Sequence, residues 1–111
     1  MDIKLSLDTE DRRLGFDLLG ATRLNAESSV ELPGGARLRF QSIIARKAFG
    51  VPETLELVLT FGTGVASGVV ANWLYQKLKD RNVKLRIEEY EVQLEEGEIK
   101  KIISRVIERK E

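Results

Sequence analysis

Between Pro52 and Asp80 the chain reads PETLELVLTFGTGVASGVVANWLYQKLKD, and the middle of this run limits the fold more than any other segment. Gly62, Gly64 and Gly68 are set among Val65, Val69, Val70, Trp73, Leu74 and Leu78. On a helix, Gly64, Gly68 and Ala71 share one side, and bulky residues cover the remainder. Glycine inside a helix costs about 1 kcal/mol relative to alanine. Glycines kept at that cost imply that another backbone approaches closely, from the sheet or from a second copy of the chain. Pro52 and Glu53 suit the first turn of a helix. The run is therefore expected to start helical, bend or break near Gly62-Thr63-Gly64, and resume to about Lys79. Leu55, Leu57 and Leu59 also alternate as a strand would.

The flanking segments give the sheet. Ile3, Leu5 and Leu7 alternate with Asp2, Lys4, Ser6 and Asp8, the period of a half-buried strand. Thr9 to Leu19 reads either as a short helix capped by Thr9 or as a strand through Leu14, Phe16 and Leu18. Val30 and Leu32 share a face with Ala36, Leu38 and Phe40, and Pro33-Gly34-Gly35 between them predicts a β-hairpin. Glu31, Arg37, Arg39 and Gln41 then face outward. A short helix over Ser42 to Phe49, ending at Gly50, is expected next. Val83, Leu85 and Ile87 alternate on odd positions, and Tyr90, Val92 and Leu94 on even ones. The phase flips at Glu88-Glu89, so the chain bulges or reverses tightly there. Gly97 closes the strand region. Ile99, Ile102, Ile103, Val106 and Ile107 then form one apolar helical face. The order predicts a single α+β domain over residues 1–111: a mainly antiparallel sheet, a central glycine-rich helix and a C-terminal amphipathic helix.

Composition closes several functional classes. The chain has 111 residues, no histidine and no cysteine. The commonest general base, the Ser-His-Asp and Cys-His arrangements and thiolate metal sites are therefore excluded. Lys and Arg total 18 against 18 Asp and Glu, a balance that argues against a nucleic-acid binder. Arg12, Arg13, Arg37, Arg39, Arg46 and Lys47 could form a local basic patch, or a polar face balanced by Glu31 and Glu53. The polar start MDIKLSLD is no signal peptide, which predicts a cytoplasmic protein.

The remaining motifs each have a structural alternative. Gly62-x-Gly64-x-x-x-Gly68 is longer than a dinucleotide fingerprint and lacks the lysine of a P-loop, so close packing accounts for it better and no cofactor is expected. Glu88-Glu89, Glu95-Glu96 and Glu98 could hold a hard cation, but their spacing matches no calcium loop; a solvated strand edge explains them, and no metal is expected. Gly64-x-x-x-Gly68 also fits membrane helix pairs, and Leu55 to Tyr75 carries only Glu56 as a charge. Its centre, FGTGVASGVVAN, is weakly hydrophobic, which favours a buried soluble helix.

The run GTGVASGVVANWLYQKLK, followed by strands and a last helix, resembles the effector-associated constant component domains of bacterial conflict and defence systems. Gly64, Gly68, Ala71, Trp73, Leu74 and Lys77 carry the resemblance, which spans about the last 60 residues. It implies a non-catalytic adaptor. Together these readings predict an interaction module, not an enzyme. Gly64, Gly68, Ala71, Trp73 and Tyr75 are the expected contacts with a protein partner or with a second copy in a homo-oligomer. The alternative is a membrane-associated effector whose helix 55–75 inserts and self-associates.

Overall fold

The structure, a computed structural model, describes residues 1–44, 52–62 and 67–110. The chain runs β1 (Asp2–Thr9), α1 (Leu14–Leu19), β2 (Ser29–Glu31), β3 (Arg37–Ile44), β4 (Glu53–Thr60), α2 (Ser67–Leu78), β5 (Val83–Ile87), β6 (Tyr90–Val92) and α3 (Glu96–Lys110). The strands form one six-stranded sheet, β2-β3-β4-β1-β5-β6, and every neighbouring pair is antiparallel. The fold is α+β with a C-terminal helix.

Register sorts the side chains between two faces. Ile3, Leu5 and Leu7 lie opposite Leu59, Leu57 and Leu55 on β4, while Leu5 and Leu7 lie opposite Ile87 and Leu85 on β5. These residues are buried in one continuous core with Leu14, Leu18, Val70, Leu74, Leu78, Ile99, Ile103 and Val106 from the helices. All three helices therefore cover the leucine face. The other face carries Asp2, Lys4, Asp8, Glu56, Arg37, Arg39, Lys84 and Arg86, in register with one another, and among the described residues no helix lies above them. A two-layer arrangement follows from the period of two: each strand has one apolar and one polar side, and only the apolar side needs covering.

The turns behave as their residues require. Leu32 N–H donates to the Ala36 carbonyl at 2.8 Å, closing the Pro33-Gly34-Gly35 turn. Gly34 and Gly35 have φ of 88° and 93°, where a side chain would be strained. Glu88 and Glu89 are the loop of the β5–β6 hairpin, since Ile87 pairs with Tyr90. The phase flip is thus a tight reversal, with Glu88 at φ 53°. Segment 9–20 resolves into turn and helix. Thr9 ends β1, and its hydroxyl accepts from Asp11 N–H at 2.9 Å, while Asp11 accepts from Arg13 N–H at 2.9 Å. α1 starts only at Leu14.

Two expectations are corrected. Glu53–Thr60 is a strand, not the first half of a helix, because β4 pairs along its length with β1 and over most of it with β3. Backbone bonding on both edges outweighs the Pro52-Glu53 helix-start signal. A continuous helix 55–75 therefore does not form, and among the described residues no helix is long and apolar enough to cross a membrane. Ser42–Ile44 extends β3 past a register shift between Phe40 and Ser42, so no helix starts at Ser42. The rest of the helix expected to Phe49 lies outside the described residues. Gly97 falls in the first turn of α3 and does not close a strand.

Candidate functional site: the outer face of the central helix

α2 spans 12 residues, and Val70, Ala71, Leu74 and Leu78 form its buried stripe. Their i, i+1, i+4 and i+8 spacing points one narrow face at the sheet. On one flank α2 meets α3. Ser67 and Ser104 share a hydroxyl–hydroxyl bond of 2.8 Å, Lys100 lies over Gly68, and Asn72 donates to Glu96 at 2.6 Å. Partners that descend along α3 as residues ascend α2 make the two helices antiparallel.

On its outer side α2 borders the β2–β3 turn. Pro33, Gly68, Val69, Asn72, Trp73, Gln76 and Lys77 line a shallow groove of about 410 Å³. Val69 is 40% exposed, one of few large apolar side chains left in solvent among the described residues. Trp73 packs partly against the core and leaves the rest of its ring in the groove. The Lys77 ammonium sits 5.7 Å from the Trp73 ring centroid, a cation–π contact at the groove's end.

The five residues expected to make contacts do not form one surface. Gly68 and Trp73 line the groove. Ala71 is fully buried, so it is core and offers nothing to a partner. Tyr75 packs partly against the core, two helical turns along from Gly68. Gly64 lies outside the described residues. Among the described residues, the atoms nearest to a side chain added at Gly68 belong to the Lys100 side chain, not to a backbone. A methyl there would meet the side chain of Lys100 at 3.6 Å, an ordinary contact. Within the described residues an aliphatic lysine stem, not a backbone of the sheet, lies over this position. Val69 and Pro33 were missed as groove residues. Val69 looked like one more valine of a core helix, and Pro33 reaches α2 only through the fold.

The charged segments are mostly satisfied locally. Arg37 pairs with Glu31 at 2.7 Å and Arg12 with Glu53 at 3.7 Å, the acidic residues proposed to balance the basic patch. Arg46 and Lys47 lie outside the described residues. Glu89 pairs with Arg109, and that hydrogen bond holds its carboxyl below the ordinary value. Arg81 donates to Asp11 at 2.7 Å and to Asp17 at 2.8 Å, tying the α2–β5 connection to α1. The bond to Asp17 raises the guanidinium pKa further, against the opposing effect of burial. Among the described residues no three acidic side chains gather as a cation cage.

Compared with known proteins, the chain matches no family model, no curated protein and no solved structure.

Proposed function

We propose that this chain is a non-enzymatic interaction module, a cytoplasmic adaptor of a bacterial defence or conflict system. It docks a protein partner, or a second copy of itself, through the outer face of α2. The observation that carries this reading is the groove at Pro33, Val69 and Trp73. It leaves an exposed valine and part of a tryptophan ring beside each other on a helix whose buried stripe is already complete. Tryptophan anchors are enriched where partners bind most strongly. The resemblance to effector-associated constant component domains points the same way.

The absence of cysteine makes the test site-specific. Gln76→Cys in the groove and Glu108→Cys on the exposed side of α3 are each labelled with a photo-crosslinker. Cross-links from position 76, few from position 108, and their loss on adding Val69→Lys support the reading. Equal cross-linking from both positions, or none from either, counts against it. Cross-links between identical chains identify self-assembly. Flotation of the unlabelled protein with liposomes would instead favour the membrane-associated effector.

A further inference from the structure

The polar sheet face, which no helix covers among the described residues, carries its own concavity, remote from α2. Asp2, Lys4, Arg39, Val58, Glu88 and Lys110 are among the residues lining a groove of about 500 Å³. Register builds it: Val58 in the middle of β4 has Lys4 beside it on β1 and Arg39 beside it on β3. Val58 is an apolar residue on a mostly polar face, and it is only 8% exposed. The stems of long cationic side chains bury apolar surface beneath them while their heads stay in water. Lys110 reaches in from the last turn of α3 and donates to the Asp2 carbonyl at 2.8 Å.

The charges in this groove do not cancel. Three cations face two carboxylates. Asp2 accepts from Thr60 at 2.9 Å and meets Arg39 only at 3.5 Å, the long limit of such a contact. Glu88 lies 2.6 Å from the Lys110 ammonium. The Lys4 ammonium makes no hydrogen bond or ion pair among the described residues, although its carbonyl accepts from Glu88 N–H at 2.8 Å. Both carboxylates are thus engaged, one cation is spare, and the Arg39 guanidinium is weakly held. Convergent positive groups over an apolar floor, in a concavity of this volume, are the makings of a small-molecule site.

We propose that this groove binds a small organic carboxylate, its apolar body over Val58 and its carboxylate between Lys4 and Arg39. Lys110 adds longer-range attraction. The guanidinium offers paired N–H donors to a carboxylate, and the lysines add unpaired charge. The site is independent of the α2 groove.

Titration with sodium benzoate, followed by amide chemical shifts and matched to sodium chloride for ionic strength, tests this. A ligand of that size should saturate with a dissociation constant on the order of 1 mM. The shifts should centre on Lys4, Arg39 and Val58, with α2 unmoved. Lys4→Met keeps the stem over Val58 and removes the charge. It should weaken binding about tenfold, the loss of one charge-assisted contact, with the thermal midpoint little changed. No saturation to about 50 mM, well beyond that constant, overturns the site. Unchanged affinity in Lys4→Met overturns the assignment of its cation. Inorganic phosphate binding as tightly as benzoate overturns the carboxylate class, because the apolar floor would then contribute nothing.

Discussion

α3 and α2 lie antiparallel against the same leucine face, yet they use their apolar residues differently. α3 buries Ile99, Ile102, Ile103 and Val106, with Ile107 partly covered, and keeps no large apolar side chain in solvent. Its ends match the helix dipole, with Glu96 and Glu98 in the first turn and Arg109 and Lys110 in the last. α2 completes its stripe with Val70, Ala71, Leu74 and Leu78 and then adds Val69 and Trp73 on another side. Its first turn has no acidic residue, and only Lys77 complements its last turn. The core accounts for all of α3. It accounts for α2 only in part, and the surplus is the surface assigned to docking.

The largest expected effects test whether the two helices are anchored alike. Leu74→Ala and Ile103→Ala each remove a fully buried side chain, and each should cost about 2–5 kcal/mol in denaturant unfolding. A cost below about 1 kcal/mol at Leu74 alone would show α2 held loosely, below the range for such truncations. Gly68→Ala should give a smaller, opposite effect. The added methyl meets only the Lys100 side chain, at ordinary distance, so helix propensity should stabilise the protein by up to about 1 kcal/mol. Destabilisation at concentrations where the chain self-associates would place another backbone over Gly68 in the assembly.

The smallest effect concerns how the last turn of α3 is tied to the β5–β6 reversal. Arg109 holds the Glu89 carboxyl below its ordinary value of 4.5. A carboxyl with a lowered folded pKa contributes stability above its unfolded pKa and loses it as pH falls through the folded value. Glu89→Gln should therefore flatten the acid side of the stability profile slightly, in thermal midpoints measured from about pH 6 to pH 3. The pair is exposed, so the two curves should converge at the acid end. Parallel curves over that range would show that the pair contributes nothing to stability.

Legibility in the sequence followed the strength of the period. β1 and α3 stand where alternation and the i, i+3, i+4, i+7 spacing put them, because each buries a single face. The Pro33-Gly34-Gly35 turn and the reversal at Glu88-Glu89 were also readable, since local chemistry and a phase change mark both. Glu53–Thr60 was misread. Its Leu55, Leu57, Leu59 alternation was visible, but the decisive fact is pairing with β1 and β3, segments far away in the chain. At the candidate site, Gly68 and Trp73 were visible as unusual residues for a helix. Pro33 was not, because nothing local links a hairpin turn to a helix more than thirty positions later. Ala71 was taken for surface through its spacing from Gly68, although its angle on the helix also matches the stripe of Val70 and Leu74.

The amino-acid order alone determined which segments have one oily side, where the chain must reverse, and that histidine and cysteine chemistry is closed to it. Only the assembled fold decided that the segment after Pro52 is a central strand, that a lysine stem and not a backbone covers Gly68, and that Lys4, Val58 and Arg39 stand side by side. The division has a physical cause. Periodicity and turn chemistry act over a few neighbouring residues, while strand pairing and groove formation join residues whose contact depends on the whole sheet being in register.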